Sequence, residues 1–196
     1  MRICVFGAAS NKISPRYVSA VESLGCTLAK RGHSLVFGGG NNGAMGAAAR
    51  GVARGGGKIL GIAPKFLNAD GVLYKNCTEI IYTETMRERK KLLEDNADAY
   101  IITPGGMGTF DELFEILTLK QLGRENKPIA LYNVDGYYNP LIALIENAVK
   151  ENFMTEESTS LYSVFDNADE LFEYLENYSY EIKDVSCYKS VPHINK

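Results

Sequence analysis

Short apolar runs bounded by glycine, proline and asparagine alternate with amphipathic stretches along most of this chain. This alternation is typical of βα units, in which each helix returns the chain so that the next strand joins a parallel sheet. The predicted strands lie near residues 2–7, 34–37, 58–62, 79–82, 98–103 and 128–132, and the predicted helices near 15–32, 43–55, 84–96, 109–122, 139–151 and 167–178. The sequence therefore predicts an α/β fold with a doubly wound parallel sheet flanked by helices.

The length favours one domain. A chain of 196 residues with 45% hydrophobic content can bury one substantial core and has little room for a second. The stretch 152–160 is polar and irregular, and the segment after residue 178 is rich in tyrosine without a clear period. We therefore expect one domain over residues 1–178 and a C-terminal tail over residues 179–196.

Charge and hydropathy disfavour several partners. The net charge is −3, and the basic residues are scattered apart from one cluster, Arg87 to Lys91, so no nucleic-acid surface is expected. No apolar stretch approaches membrane-spanning length, and the chain enters its first strand at Arg2 without a signal peptide. These features predict a cytoplasmic protein with no membrane partner.

The four cysteines do not suggest a metal site. Cys4, Cys26, Cys77 and Cys187 show no paired spacing, and only two histidines, His33 and His193, could join them as ligands. We expect reduced, mostly structural thiols and no bound metal.

A glycine-rich turn, residues 103–108, runs from an apolar strand into a helix. Gly105, Gly106 and Gly108 remove the Cβ atoms that would keep a ligand oxygen away from the backbone. The first N–H groups of a helix have no partner within the helix, and the helix dipole adds positive charge there. The turn therefore predicts a phosphate site, with the carboxylates of Asp111 and Glu112 beside it.

A second turn of this kind, residues 38–46, follows the predicted strand 34–37 and opens an alanine-rich helix. Loops that follow parallel strands gather at the carboxyl edge of the sheet. We therefore expect the two turns to lie on neighbouring strands and to face one crevice.

The common nucleotide-binding and hydrolase motifs are either absent from this sequence or lie in the wrong structural context. Gly38, Gly40 and Gly43 match G-x-G-x-x-G, but the turn is not the first βα turn and no acidic residue ends the next strand, which disfavours a dinucleotide site. A P-loop would need Lys and Ser or Thr directly after Gly43. Neither a G-x-S-x-G elbow nor an H-E-x-x-H zinc motif occurs.

The basic cluster lies on the helix that precedes strand 98–103. Helical spacing places Met86, Arg89 and Lys90 on one side and Arg87 and Lys91 on another, so one cation can face the crevice. The alternative is a solvated charged face stabilised by pairs four residues apart.

The carboxylates also have two interpretations. Thr109-x-x-Glu112 matches a capping box, and Asp111 could be an ordinary acid of the first helical turn. Next to an arginine, however, the ionised form of Glu112 should be favoured, which would suit a base or a group that stabilises a cation.

Taken together, these motifs resemble the Lonely Guy family of cytokinin riboside 5′-monophosphate phosphoribohydrolases, relatives of which were labelled possible lysine decarboxylases. The resemblance covers about residues 1–178. It rests on Met86-x-x-Arg89-Lys90, Pro104-Gly105-Gly106-x-Gly108-Thr109-x-x-Glu112, Gly38-Gly39-Gly40 and the run from Asn133 to Tyr138.

The resemblance implies a Rossmann-like homodimer that needs no cofactor. It implies cleavage of the N-glycosidic bond of a nucleoside 5′-monophosphate, AMP or N6-prenylated AMP, to the free base and ribose 5-phosphate. Arg89 and Glu112 would be the catalytic pair. The residues implied to bind substrate are Gly39, Gly40, Gly43, Met86, Lys90, Gly105, Gly106, Met107, Gly108, Thr109, Asp111 and Thr118.

The chain departs from the family pattern at three places. Arg87 stands where the family has histidine, no acidic residue matches cleanly around residues 68–71, and Asp111 replaces a common glutamate. The base preference therefore stays open. The alternative function is a non-catalytic binding protein, either for a nucleotide or as a carrier of the molybdenum cofactor, since such carriers have a similar fold. A lysine decarboxylase is disfavoured because no lysine has the context of a pyridoxal Schiff base.

Overall fold

The computed structural model describes residues 1–69, 71–179 and 185–188. Its strands form one sheet in the order β4-β3-β2-β1-β5-β6-β7, and every neighbouring pair is parallel. The strands are β1 (Arg2–Phe6), β2 (Ser34–Phe37), β3 (Ile59–Pro64), β4 (Glu79–Thr83), β5 (Ala99–Ile102), β6 (Ile129–Tyr132) and β7 (Ser163–Phe165). The predicted doubly wound α/β fold is confirmed.

Helices cover both faces of the sheet. They are α1 (Pro15–Lys30), α2 (Gly43–Arg54), α3 (Met86–Asp95), α4 (Met107–Gln121), α5 (Asn139–Lys150) and α6 (Ala168–Glu176). Successive strand residues point to opposite faces. Ile3 and Val5 of β1 therefore pack with α1, α2 and α6, whereas Cys4 and Phe6 pack with α3, α4 and α5.

The first two helices approach each other unusually closely. A Cβ atom on Gly51 of α2 would lie 2.0 Å from the carbonyl oxygen of Glu22 on α1, and one on Gly25 would lie 2.4 Å from the carbonyl of Ala48. Only glycine allows backbone contact at this distance. Because α1 follows the loop after β1 and α2 follows the loop after β2, this contact holds both loops side by side.

The strand order sets the place of the crevice. The chain adds β2, β3 and β4 on one side of β1 and then returns to place β5 on the other side. Ligands of open α/β sheets bind at the carboxyl edge where the order reverses. The prediction that the two glycine turns follow neighbouring strands is wrong, because β1 lies between β2 and β5 and adds its own loop to the crevice.

The predicted boundaries lie within two residues of the observed ones, but one strand was missed. The strand β7 was missed because it has three residues at the edge of the sheet, none of them fully buried, which is too short for a hydrophobic pattern. Helix α4 begins at Met107, two residues before the predicted start.

Of the tail, the structure describes residues 179 and 185–188, and residues 185–188 form a 3₁₀ turn. The amide of Gln121 on α4 donates to the carbonyl of Tyr188 at 2.9 Å. The other tail residues lie outside the described part of the chain, so the domain boundary at residue 178 stays a prediction. None of the described helices combines the length and apolar character that a membrane crossing requires.

Candidate active site

A cavity of about 480 Å³ opens at the carboxyl edge of the sheet, beside the ends of β1 and β5. Its walls come from the loop after β1, the turn after β2, the segment after β3, the first turn of α3 and the start of α4. The lining residues are Gly7, Ala8, Ala9, Ser10, Gly38, Gly40, Asn42, Met45, Leu67, Val72, Leu73, Met86, Arg89, Gly106, Met107, Gly108, Thr109, Asp111 and Glu112.

Most residues predicted for the site line this cavity. They are Arg89, Glu112, Gly40, Met86, Gly106, Met107, Gly108, Thr109 and Asp111. The other five predicted residues, Gly39, Gly43, Lys90, Gly105 and Thr118, are not part of its lining.

Gly39, Gly43 and Thr118 have other roles in the structure. Gly39 and Gly43 have φ values of +77° and +58°, so they shape the turn, because side chains rarely tolerate that backbone conformation. Thr118 lies three turns into α4, where its hydroxyl donates to the carbonyl of Phe114 at 2.7 Å. The structure therefore does not bring Thr118 to the cavity.

Sequence reasoning missed two stretches of the wall. The loop Gly7 to Ser10 carried a usable signal, since four small residues directly follow the first strand at the edge where ligands bind. The segment with Leu67, Val72 and Leu73 carried none. It is held over the β2 turn by backbone bonds, from Asn41 N–H to the Val72 carbonyl at 2.9 Å and from Tyr74 N–H to the Gly39 carbonyl at 2.8 Å.

Arg89 and Glu112 form a buried ion pair on the cavity wall. The Nη1 atom of Arg89 lies 2.8 Å from Oε1 of Glu112, and the two side chains are only 7% and 9% exposed. Arg89 sits in the first turns of α3, whose start is fixed by a capping box between Thr85 and Glu88. The cation predicted to face the crevice is therefore Arg89, while Lys91 pairs with Asp95 four residues on, as the alternative proposed.

The capping-box interpretation of Glu112 is wrong. Helix α4 begins at Met107 after the N-cap Gly106, and no side chain caps it. Glu112 is thus the sixth helical residue, too far along for a cap, and its carboxylate reaches Arg89 instead. Asp111 is likewise not a first-turn acid, because it is the fifth residue of α4, and its carboxylate lies 3.1 Å from Nζ of Lys90.

Lys90 joins the two helices that carry the ion pair. Its Nζ atom lies 2.7 Å from Glu115 and 3.1 Å from Asp111, both on α4. The hydrogen bond to Glu115, followed by that to Asp111, raises the pKa of Lys90 above its usual value. Lys90 therefore braces α3 against α4, and it does not line the cavity.

Burial raises the pKa of Glu112, and the charge of Arg89 opposes this effect without cancelling it. The expectation that the arginine would favour the ionised form overall is wrong, because the loss of solvation in the buried position is the larger effect. A carboxylate with a raised pKa is a stronger base when it is ionised. Glu112 thereby suits proton abstraction from water better than an exposed glutamate would.

Gly38 makes the space that the arginine occupies. A Cβ atom at this position would lie 1.9 Å from Nη2 of Arg89 and 3.0 Å from Cζ. The Nε atom of Arg89 is buried and has no hydrogen-bond partner in the described part of the protein. Protein atoms cover this nitrogen, so a molecule in the cavity would not reach it in this arrangement.

The start of α4 offers the backbone donors for an anion. Its first helical bond runs from Phe110 N–H to the Gly106 carbonyl, which leaves the N–H groups of Met107, Gly108 and Thr109 without a helical acceptor. The start of α2 differs, because Gly43 N–H donates to Asn11 and Met45 N–H donates to the Ala8 carbonyl. The donors for an anion therefore lie at the start of α4, whereas the turn after β2 forms part of the cavity wall.

The fold and the site define a class, an α/β protein in which a cavity at the carboxyl edge of the sheet joins a helix N-terminus to a buried Arg–Glu pair. The family described as possible lysine decarboxylase matches residues 45–175. Cytokinin riboside 5′-monophosphate phosphoribohydrolase LOG7 of Arabidopsis thaliana is 40% identical over 185 residues, which cover 94% of this chain and 85% of the relative. LOG2 of the same plant, which has the same activity in its name, is 40% identical over 177 residues, which cover 90% of this chain and 83% of the relative.

The chain belongs to this family, the Lonely Guy family that its motifs resemble. Solved structures with the same fold include the molybdenum cofactor binding protein of Rippkaea orientalis, at 20% identity and a TM-score of 0.66, with 89% of this chain and 93% of that chain covered. The molybdenum cofactor carrier protein of Chlamydomonas reinhardtii has 18% identity and a TM-score of 0.68, with coverage of 89% and 95%. At this identity the likeness shows the fold alone.

Proposed function

We propose that this protein hydrolyses the N-glycosidic bond of a nucleoside 5′-monophosphate, AMP or N6-prenylated AMP, and releases the free base and ribose 5-phosphate. The observation that carries the proposal is the buried Arg89–Glu112 pair, which faces the same cavity as the free N–H groups of α4. The activity named for the 40% identical relatives supports the same reaction.

Binding would begin at the start of α4. The 5′-phosphate would accept hydrogen bonds from the N–H groups of Met107, Gly108 and Thr109, helped by the helix dipole. The cavity volume, about 480 Å³, lies in the range of about 300–1,000 Å³ that is usual for small-molecule sites. Held by its phosphate, the ribose would lie with its anomeric carbon toward Glu112, so that binding energy at a remote group positions the reacting atom.

Glu112 would act on both the sugar and the water. As the bond from C1′ to the base nitrogen breaks, its electron pair leaves with the base and the sugar gains oxocarbenium character, which a nearby carboxylate stabilises. The oxygen of a water molecule then bonds to C1′ while Glu112 accepts the water proton. The departing base nitrogen takes a proton from solvent and Glu112 returns its proton to solvent, so that one water is consumed for each free base and ribose 5-phosphate released. Arg89 would hold the carboxylate in place through Nη1.

Apolar side chains would receive the base. Met45, Leu67, Leu73 and Met86 line the cavity together with small residues, and a purine or an apolar N6 substituent would bury its surface against them. These contacts do not separate adenine from an N6-prenylated adenine, so both substrates belong to the proposal.

The test is release of free base from AMP and from isopentenyl-AMP, followed by chromatography. Glu112→Gln keeps the shape of the side chain but removes the base, so turnover should fall by about 100-fold or more. Calorimetry should still show AMP binding to this variant. Silence of the wild-type protein on both nucleotides, beside an active control enzyme, would refute the proposal.

The alternative, a carrier of the molybdenum cofactor, rests on similarity of fold at 18–20% identity. A carrier has no need of a buried base held by an arginine, which is why hydrolysis is preferred. A pterin that co-purifies tightly with the protein, in the absence of any turnover, would reverse this preference.

We also propose that the protein is a homodimer that pairs through α3 and α4. Large apolar side chains stand exposed on these helices next to the cavity: Met107 is 83% exposed, and Phe114 and Met86 are 44% and 43% exposed. Such side chains are common at contacts between subunits. The cytoplasmic location expected from the sequence stays a prediction.

A further inference from the structure

Two adjacent tyrosines hold the backbone behind the glycine turn. Both follow the 3₁₀ turn Val134–Gly136, which comes directly after β6. The hydroxyl of Tyr137 donates to the carbonyl of Gly105 at 2.6 Å, and the hydroxyl of Tyr138 donates to the carbonyl of Thr103 at 2.7 Å. Their rings meet edge to face, with centroids 5.1 Å apart, so the pair is a rigid support.

The bond from Tyr137 sets the direction of a donor that serves the cavity. In a trans peptide the carbonyl and the following N–H point in opposite directions, and the described residues include no cis peptide bond. The carbonyl of Gly105 faces Tyr137, so the N–H of Gly106 faces away from Tyr137. Gly106 lines the cavity. The N–H of Gly106 is therefore turned toward the ligand.

The neighbouring peptides are held in a different way. The carbonyl of Pro104 accepts a bond from the N–H of Ala8 at 3.1 Å, and Gly105 is not part of the cavity lining. The carbonyl of Thr103 is held by Tyr138, but the next nitrogen belongs to Pro104 and carries no hydrogen. Tyr138 thus makes the same kind of bond as Tyr137, but no N–H group follows the carbonyl that it holds.

We infer that Tyr137 is a positioning residue of the anion subsite. Its hydroxyl fixes the peptide between Gly105 and Gly106 and aims the Gly106 N–H at the same oxygens that meet the first N–H groups of α4. The inference rests on the proposed function for the identity of the ligand, a ribose 5-phosphate group. It adds a fourth backbone donor to the site and assigns the residue that holds this donor in place.

The test compares Tyr137→Phe with Tyr138→Phe. Each variant loses one hydroxyl and one bond to a carbonyl of the turn, and only the carbonyl held by Tyr137 is followed by an N–H donor. Tyr138 is fully buried and Tyr137 is partly buried, so loss of stability is measured separately from loss of affinity. Affinity for ribose 5-phosphate is measured by calorimetry, thermal unfolding reports on stability, and KM and kcat are measured with AMP. Tyr137→Phe should bind ribose 5-phosphate about fivefold to tenfold more weakly, the effect of one net hydrogen bond.

The same variant should raise KM for AMP by a similar factor and change kcat by less than about threefold, because the phosphate contact is made in both the ground and transition states. Tyr138→Phe should lower the melting temperature yet change the affinity by less than about twofold.

Equal loss of affinity in both variants, or none in Tyr137→Phe, would overturn the inference, as would a wild-type protein that does not bind ribose 5-phosphate. If the wild-type protein binds this probe with the expected difference between variants but cleaves no nucleotide, the inference stands and the proposed function fails.

Discussion

At the scale of single residues, the site depends on an arginine held in place from two sides. Glu112 holds one end of the guanidinium, and the missing side chain at Gly38 leaves room for the other. Because Arg89 is buried, it has little freedom to find another position. The function of Gly38 is therefore steric, and it is tied to the particular shape of its neighbour.

Gly38→Ala tests this steric role. The added Cβ atom would lie 1.9 Å from Nη2, so the guanidinium must move and its contact with Glu112 must change. We expect kcat/KM for AMP to fall by about 100-fold, as for other displacements of about 1 Å in an active site. Circular dichroism should show that the variant remains folded.

The Arg89→Lys background supplies the control. Lysine lacks the outer nitrogens that meet the new Cβ atom, so Gly38→Ala should cost less than about threefold when it is added to Arg89→Lys. If the two effects multiply instead, Gly38 acts through another part of the site and the steric explanation is wrong.

The raised pKa of Glu112 predicts the acid side of the pH profile. Hydrolysis needs the ionised carboxylate, so kcat/KM should fall tenfold for each unit of pH below that pKa. The midpoint should lie above the value of about 4.3 for an ordinary glutamate. Asp111 adds to the rise through its negative charge, so Asp111→Asn should move the midpoint to lower pH. A midpoint at the ordinary value in the wild-type protein would contradict the buried position of the base.

At the scale of elements, the proposed catalytic pair spans two helices and depends on their relative position. Arg89 belongs to α3 and Glu112 to α4, and Lys90 connects the same helices through Asp111 and Glu115. The adjacent Lys91 pairs with Asp95 inside α3 and is largely exposed. The ion pairs of Lys90 therefore connect two helices, whereas the ion pair of Lys91 lies within one helix.

Lys90→Met should separate these roles. We expect it to lower the free energy of unfolding by about 1 kcal/mol, since a partly buried lysine loses two partners. It should also lower kcat/KM by about fivefold, since α3 and α4 are no longer held in register. Urea unfolding and AMP hydrolysis measure the two effects.

Lys91→Met removes the same charge from the exposed side of the helix. It should change the free energy of unfolding by less than about 0.5 kcal/mol and leave kcat/KM unchanged. Equal effects of the two substitutions would show that net charge, rather than the bracing of α3 against α4, explains the result.

At the scale of the whole molecule, the proposed dimer predicts a mass of two chains in light scattering at micromolar concentration. Phe114→Glu should shift the protein toward the monomer, because it places a charge in the proposed contact on α4. Phe153→Glu is the control, since Phe153 is 86% exposed beyond the end of α5 and outside that contact. A monomeric wild-type protein, or dissociation by both substitutions alike, would contradict the proposed contact.

The amino-acid sequence by itself determined the order of elements, the six longer strands and the two glycine turns, because these depend on local periodicity and backbone freedom. It also singled out Arg89 and Glu112, although whether Glu112 capped a helix or served a site stayed open. The tertiary structure excluded the cap, since the start of α4 at Met107 and the packing of α3 bring the two side chains to 2.8 Å, and the site role stays the proposal.

Tertiary structure alone also placed β1 between the two turns, excluded Thr118 from the cavity and raised the pKa of Glu112. Each of these depends on residues far apart in the chain. Strand order, distance across a cavity and loss of solvent are set by packing, and no local pattern records them.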